Sequence, residues 1–220
     1  MNTPLTIAVW ALVGGALGVC GTLVLSLQRA DLRIGHSIAL TAGAFGVLAG
    51  CVLGWRASHN DDQILLFWFA ASAVAAVSAA IDLRRRIIPN QALGVGLVAW
   101  AVSMLLWGVG FESVVRAVLS AVVVGALLLV VSYFSAGGFG MGDVKLLALL
   151  AMFGGVVSPH VVVATLIISS ATGGAAGVLL VIMQHIRTRE PIPFGPFILC
   201  GWLLTILLTS DKLLNAGFVS

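Results

Sequence analysis

The sequence predicts an all-α, polytopic membrane protein of about eight transmembrane helices, and three observations carry that prediction. First, 60% of the 220 residues are hydrophobic and only 9% are charged, with a mean hydropathy of +1.16. A soluble domain usually carries about 25% charged residues, so this chain has too few charges to cover a water-facing surface. Second, the apolar residues fall in runs long enough to cross a hydrocarbon core about 30 Å thick, which takes roughly 20 residues of helix. Third, the 26 glycines suit helices that pack in lipid, where small residues let backbones approach closely.

Read against the polar breaks, the runs place spans at about 5–27, 37–55, 63–81, 91–109, 114–133, 144–158, 160–183 and 196–210. The sixth and eighth are short. No soluble domain, long linker, low-complexity tract or internal repeat fits between them, so residues 1–220 read as a single integral membrane domain. Met1 to Trp10 contains no Lys or Arg before its apolar run. It lacks the basic region of a secretory signal and is expected to remain as the first span.

The net charge of +3 does not point to nucleic acid, because the basic residues sit in short loops between apolar runs. Their distribution sets the topology instead. With eight spans, the odd-numbered loops hold Arg29, Arg33, Arg84, Arg85, Arg86, Lys145, Arg187 and Arg189, eight of the eleven cationic residues. The other side holds Arg56, Arg116 and Lys212, diluted by Asp61, Asp62 and Glu112. Positive charge collects on the cytoplasmic side, so the odd loops are expected there, with both termini outside. Asp82 closes the third span and Asp143 opens the sixth. Both acids then fall on the cytoplasmic face.

Acids near hydrocarbon need a reason, since an Asp at the bilayer centre costs about 2.5–3.5 kcal/mol on insertion scales. Asp82 alone reads equally well as an ordinary helix-end charge. Asp143 lies in Gly137-Gly138-Phe139-Gly140-Met141-Gly142-Asp143-Val144-Lys145, a glycine-dense break leading into an apolar helix. As structure, the glycines supply turns and the acid caps a helix start. As chemistry, the glycines let backbone or an extended substrate come close to the carboxylate. Capping does not account for a second acid on the same face.

Here the sequence resembles a known family. Gly140-Met141-Gly142-Asp143 looks like the GxGD motif of the type IV prepilin peptidases. Asp82-Leu83-Arg84-Arg85-Arg86-Ile87-Ile88-Pro89-Asn90 resembles the segment that carries the family's first aspartate, and Pro193-Phe194-Gly195-Pro196-Phe197 resembles a C-terminal segment common among its members. The three occur in family order, over a core of about 63–210. The resemblance implies an aspartic endopeptidase with Asp82 and Asp143 as its catalytic pair and no metal or cofactor. It implies a prepilin or pseudopilin substrate, cut after a leader Gly on the cytoplasmic side. Two nearby carboxylates do not both ionise easily, so such a pair shares a proton. One member takes a proton from water and the other donates to, or polarises, the scissile carbonyl.

One family feature is missing. Members that also methylate the new N-terminus carry a sizeable segment between the first two spans, often with two CxxC pairs. Here that loop runs only from about Gln28 to His36 and has no cysteine. The expectation is peptidase activity without methyltransferase activity, zinc or S-adenosylmethionine. Cys20, Cys51 and Cys200 are far apart in apolar runs and read as buried, inert thiols.

Among supporting residues, Gly140 and Gly142 shape the approach to Asp143, and Pro89 and Asn90 end an extended loop and start the fourth helix. Lys145 either influences the acid pair and substrate or snorkels to the headgroups. Arg84 to Arg86 read as a positive-inside anchor. His36, His59, His160 and His185 show no i,i+4 pair, so no metal site is expected. Asp31, Asp61, Asp62, Glu112, Glu190 and Asp211 read as solvated charges. The competing reading is a proton-coupled transporter or channel that uses the same acids. It expects midplane acids and repeated halves, whereas these acids lie at span ends. The presenilin-like GxGD proteases carry a Tyr before the first aspartate, and here Ile81 stands there.

Overall fold

A computed structural model describes residues 3–28, 36–59, 65–134, 139–183 and 192–209. Among these, every regular element is a helix: α1 (Thr3–Gln28), α2 (His36–His59), α3 (Leu65–Arg85), α4 (Asn90–Trp107), α5 (Phe111–Phe134), α6 (Met141–Val157), α7 (Pro159–Ile182) and α8 (Gly195–Leu208). The protein is an all-α polytopic membrane protein. Six of the helices, all but α6 and α8, are long and apolar enough to cross a bilayer. At 1.5 Å per residue, the 14 residues of α8 reach only about 21 Å. Arg29, Asp31, Arg33, Asp61, Asp62, Gly137, Gly138, His185, Arg187, Arg189, Glu190, Asp211 and Lys212, read above as loop residues, lie outside the described residues.

The chain divides into two compact units, Met1–Gly108 and Val109–Ser220. In the first, α3 touches α1, α2 and α4. Its apolar stretch is 78% buried, against 22% for α1 and 28% for α4, so α3 is the helix the others cover. Phe67, Trp68, Ala71, Ala75 and Ile81 of α3 supply much of the core. In the second unit, α6 touches α5, α7 and α8. Twelve of its 17 residues are buried, and Leu146, Leu150 and Phe153 pack in a core that also contains Ile198, Trp202 and Ile206 of α8.

The outer helices present apolar side chains outward. On α5, Leu119, Val122, Val123, Leu127 and Val130 are all exposed. Such a surface would be a liability in water, whereas in lipid it is the ordinary solvent-facing surface. The same logic corrects the expected burial of the thiols. Cys20 and Cys200 are exposed and Cys51 is partly so, because a residue in an apolar run faces lipid as readily as it faces protein.

The seam between α1 and α2 shows what the glycines do. A Cβ at Gly14 would collide with the Gly46 carbonyl oxygen, and one at Gly46 with the Gly14 carbonyl oxygen. One turn further, a Cβ at Gly18 would strike the carbonyl of Ala42, and one at Gly50 that of Trp10. Each helix thus contributes glycines spaced i,i+4, the small-xxx-small arrangement that brings backbones into direct contact.

Helix ends follow local chemistry. The N–H of Gly108, with φ 57°, donates to the Met104 carbonyl and ends α4 in the left-handed conformation that glycine adopts without strain. Ser158 caps α7 by accepting from the His160 N–H at 3.2 Å, with Pro159 in the first turn. The C-terminal end of α6 is held from outside. From α5, Arg116 donates through Nε to the Gly155 carbonyl at 2.9 Å and through Nη2 to the Val156 carbonyl at 2.6 Å and to Ser113 Oγ at 3.0 Å. The sequence placed Arg116 only as a charge on one side of the membrane. Its work is to satisfy carbonyls at the negative end of a neighbouring helix.

Two stability outcomes follow. Gly46→Val forces α1 and α2 apart and lowers stability by about 1–3 kcal/mol, read as a lower thermal midpoint in detergent. Arg116→Met removes the hydrogen bonds to the end of α6 and costs about 2–4 kcal/mol in the same measurement.

Candidate active site

Asp82 sits in the last turn of α3, which runs four residues beyond the apolar stretch that ends at Ile81. Leu83, Arg84 and Arg85 are good helix formers, and two cations in a last turn suit the helix dipole. They carry the helix past the end of the hydrophobic run. Ile81 is locked in a cluster with Leu25, Ile38, Val77 and Ala92, and Asp82 beside it is only 5% exposed. A carboxylate gains nothing from the C-terminal end of a helix, whose partial charge is negative. Capping therefore does not explain an acid at this position.

The helix stops at Arg86, whose backbone enters the left-handed region at φ 55° and donates its N–H to the Asp82 carbonyl at 2.7 Å. Ile87 and Ile88 follow without regular structure. Pro89 is buried and is the N-cap of α4; its carbonyl accepts from Ala92 and Leu93 at 3.1 and 3.4 Å. Asn90 is exposed and begins the helix. This pair starts α4 as expected.

Asp143 occupies the first turn of α6, 9% exposed. The helix begins three residues before the expected span, because Gly140 serves as N-cap and draws Met141 and Gly142 into the first turn. The Gly140 carbonyl accepts from the N–H groups of Asp143 at 3.0 Å and Val144 at 3.2 Å. The N-cap glycine itself brings no side-chain hydrogen bond to this end. The Asp143 carboxylate folds back over Gly140, so a Cβ there would lie 2.9 Å from Oδ2. Gly140 has φ −71°, which any residue adopts. Glycine is needed here for the room it leaves the carboxylate.

Gly142 is half-buried, and Lys145 is exposed. Residues two apart on an α-helix leave the axis about 200° apart, so Lys145 departs on the side away from Asp143. Among the described residues, no three His, Cys, Asp or Glu side chains gather as a set that could hold a metal ion.

The loop entering α6 is held by contacts that sequence reasoning did not assign. Ser132 Oγ of α5 donates to the Phe139 carbonyl at 2.9 Å. The Phe139 ring meets Phe194 edge-on, with centroids 5.3 Å apart and planes at 66°, and Phe194 in turn lies 6.1 Å from Phe197. The segment Pro193–Phe197 had been singled out by resemblance, without a role. Only the fold shows that it reaches the loop before Asp143.

A polytopic helical membrane protein with one buried carboxylate at the end of α3 and another in the first turn of α6 is the class that these features define. The chain belongs to the Type IV leader peptidase family, whose sequence pattern matches residues 64–178, just over half of its length and including both acids. It is similar to the prepilin leader peptidase/N-methyltransferase of Burkholderia pseudomallei (strain 1026b), with 31% identity over 190 residues, covering 84% of this chain and 59% of that protein. The protein of the same name from Stutzerimonas stutzeri is 30% identical over 182 residues, covering 77% and 57%. That from Aeromonas hydrophila is 29% identical over 197 residues, covering 86% and 59%. The chain thus spans a little under three fifths of the length of these relatives. No solved structure matches it.

Proposed function

We propose that this protein is a membrane aspartic endopeptidase that removes the basic leader of prepilins or pseudopilins, cutting after the leader's final Gly at the cytoplasmic face. The observation that carries the reading is that the family match, residues 64–178, encloses both acid-bearing helix ends. On this reading residues 1–220 work as one peptidase domain, with a core of about 63–210, and Asp82 and Asp143 share a proton. The ionised member deprotonates a water, and its protonated partner polarises the scissile carbonyl. The charge count supports the cytoplasmic location, because the loops following α3 and preceding α6 fall on the side richer in Lys and Arg.

The relatives' printed names join the peptidase to an N-methyltransferase. We read this chain as a peptidase alone. The stretch 29–35 between α1 and α2 holds no cysteine, where family members with both activities carry a larger, cysteine-bearing segment. Methylated product in the assay below would overturn that part.

The test is cleavage of a synthetic leader peptide spanning the Gly junction by the purified chain. Asp82→Asn and Asp143→Asn each lower turnover about 10²–10⁴-fold while leaving the thermal midpoint within a few degrees of wild type. Cleavage by both variants at the wild-type rate would remove the enzyme reading. Gly140→Ala keeps the fold, since its backbone angles suit alanine, yet pushes the Asp143 carboxylate aside. Its turnover falls about 10- to 100-fold with no loss of thermal stability.

A further inference from the structure

Asp143 owes its place to a short chain of contacts that begins in another part of the sequence. The N-cap of α6 is Gly140, which has no side chain to contribute. The first turn is tied to the loop by the Gly140 carbonyl, which holds the N–H groups of Asp143 and Val144, and Phe139 is the residue before it. Phe139 is fixed at two points. Its carbonyl is held by Ser132 Oγ, and its ring stands edge-on to Phe194.

Phe194 is seated in turn. Its ring lies directly over Gly173 of α7, where a Cβ would collide with the ring edge. One turn along, a Cβ at Gly177 would lie 3.3 Å from Ile192 Cδ1. The segment that leads into α8 is therefore laid along α7 over two glycines spaced i,i+4. Gly173 is buried, while Phe194 and Phe139 are both partly buried. All these residues belong to the second unit.

We propose that Phe194 is a positioning residue for Asp143: seated on Gly173 and edge-on to Phe139, its ring fixes the loop that delivers Gly140 and the first turn of α6. The proposal rests on the peptidase reading for its consequence in catalysis, though not for its geometry. Phe194 acts through Phe139 and Gly140 and needs no contact with substrate. A carboxylate displaced by about 1 Å loses about 10²-fold in rate, which is the scale of effect that a slackened loop produces. The glycine at 173 belongs to the same device, because a methyl group there would lift the ring from its seat.

The experiment uses the full chain, with wild type and Asp143→Asn as references, and two readouts. In leader-peptide cleavage, Phe194→Leu lowers kcat about 10- to 100-fold with little change in KM, Gly173→Ala does the same, and Phe194→Tyr, which keeps the ring, stays close to wild type. Phe139→Leu combined with Phe194→Leu falls no further than the weaker single variant, because both act through one contact. In hydrogen exchange, Phe194→Leu speeds exchange in the segment 139–146, about tenfold, while the middle of α5 and the rest of α6 stay as in wild type.

An unchanged exchange rate in that segment overturns the proposal. So does an unchanged kcat, a loss confined to KM, or full multiplication of the two single effects. If wild type leaves the peptide intact, or Asp143→Asn cleaves it equally well, the peptidase reading fails instead. The exchange data then decide alone whether Phe194 holds the loop.

Discussion

A carboxylate near hydrocarbon is tolerated only where protein, rather than lipid, surrounds it, and the arrangement of both units answers that constraint. Asp82 and Asp143 are each carried on the helix that its unit covers most completely, α3 in the first and α6 in the second. The other helices spend their apolar surface on lipid, as the exposed valines and leucines of α5 show. Burial of the acids follows from the packing of the whole unit around one helix. It also keeps each carboxylate out of bulk water, where electrostatic effects are weak.

Glycine serves two physical purposes in this molecule. Along α1 and α2 it removes side chains so that carbonyls can touch the neighbouring backbone, and the gain is stability. At Gly140 it removes a side chain so that a carboxylate can fold back over the backbone, and the gain is the placement of a functional group. Composition records both as the same residue. Gly173 combines the two, since the ring it admits reaches the loop ahead of Asp143.

Much of the fold was legible in the sequence because a bilayer imposes a simple rule: long apolar runs must be helices whose backbone groups are satisfied internally. All eight expected spans appear as helices, with ends displaced by a few residues. Two of the displacements fall at the ends that carry the acids. Helix α3 continues through Leu83 to Arg85, and α6 begins at Met141, since hydropathy marks where lipid ends and helix formation is governed by capping and dipole. The acids themselves were legible through an ordered set of motifs. The contacts around them were not. Nothing in the spacing of Phe139 and Phe194, 55 residues apart, announces that their rings meet. Arg116 gave one clue, as a charge one turn inside an apolar run, but its acceptors are backbone carbonyls that carry no sequence signature.

That arginine bears on how the protein is built. A helix that takes a cation into the membrane by itself meets an unfavourable free energy that its apolar residues must outweigh. The carbonyls of Gly155 and Val156 relieve it, but they belong to α6, which is made later. The tie favours joint entry of α5 and α6 over entry one after the other.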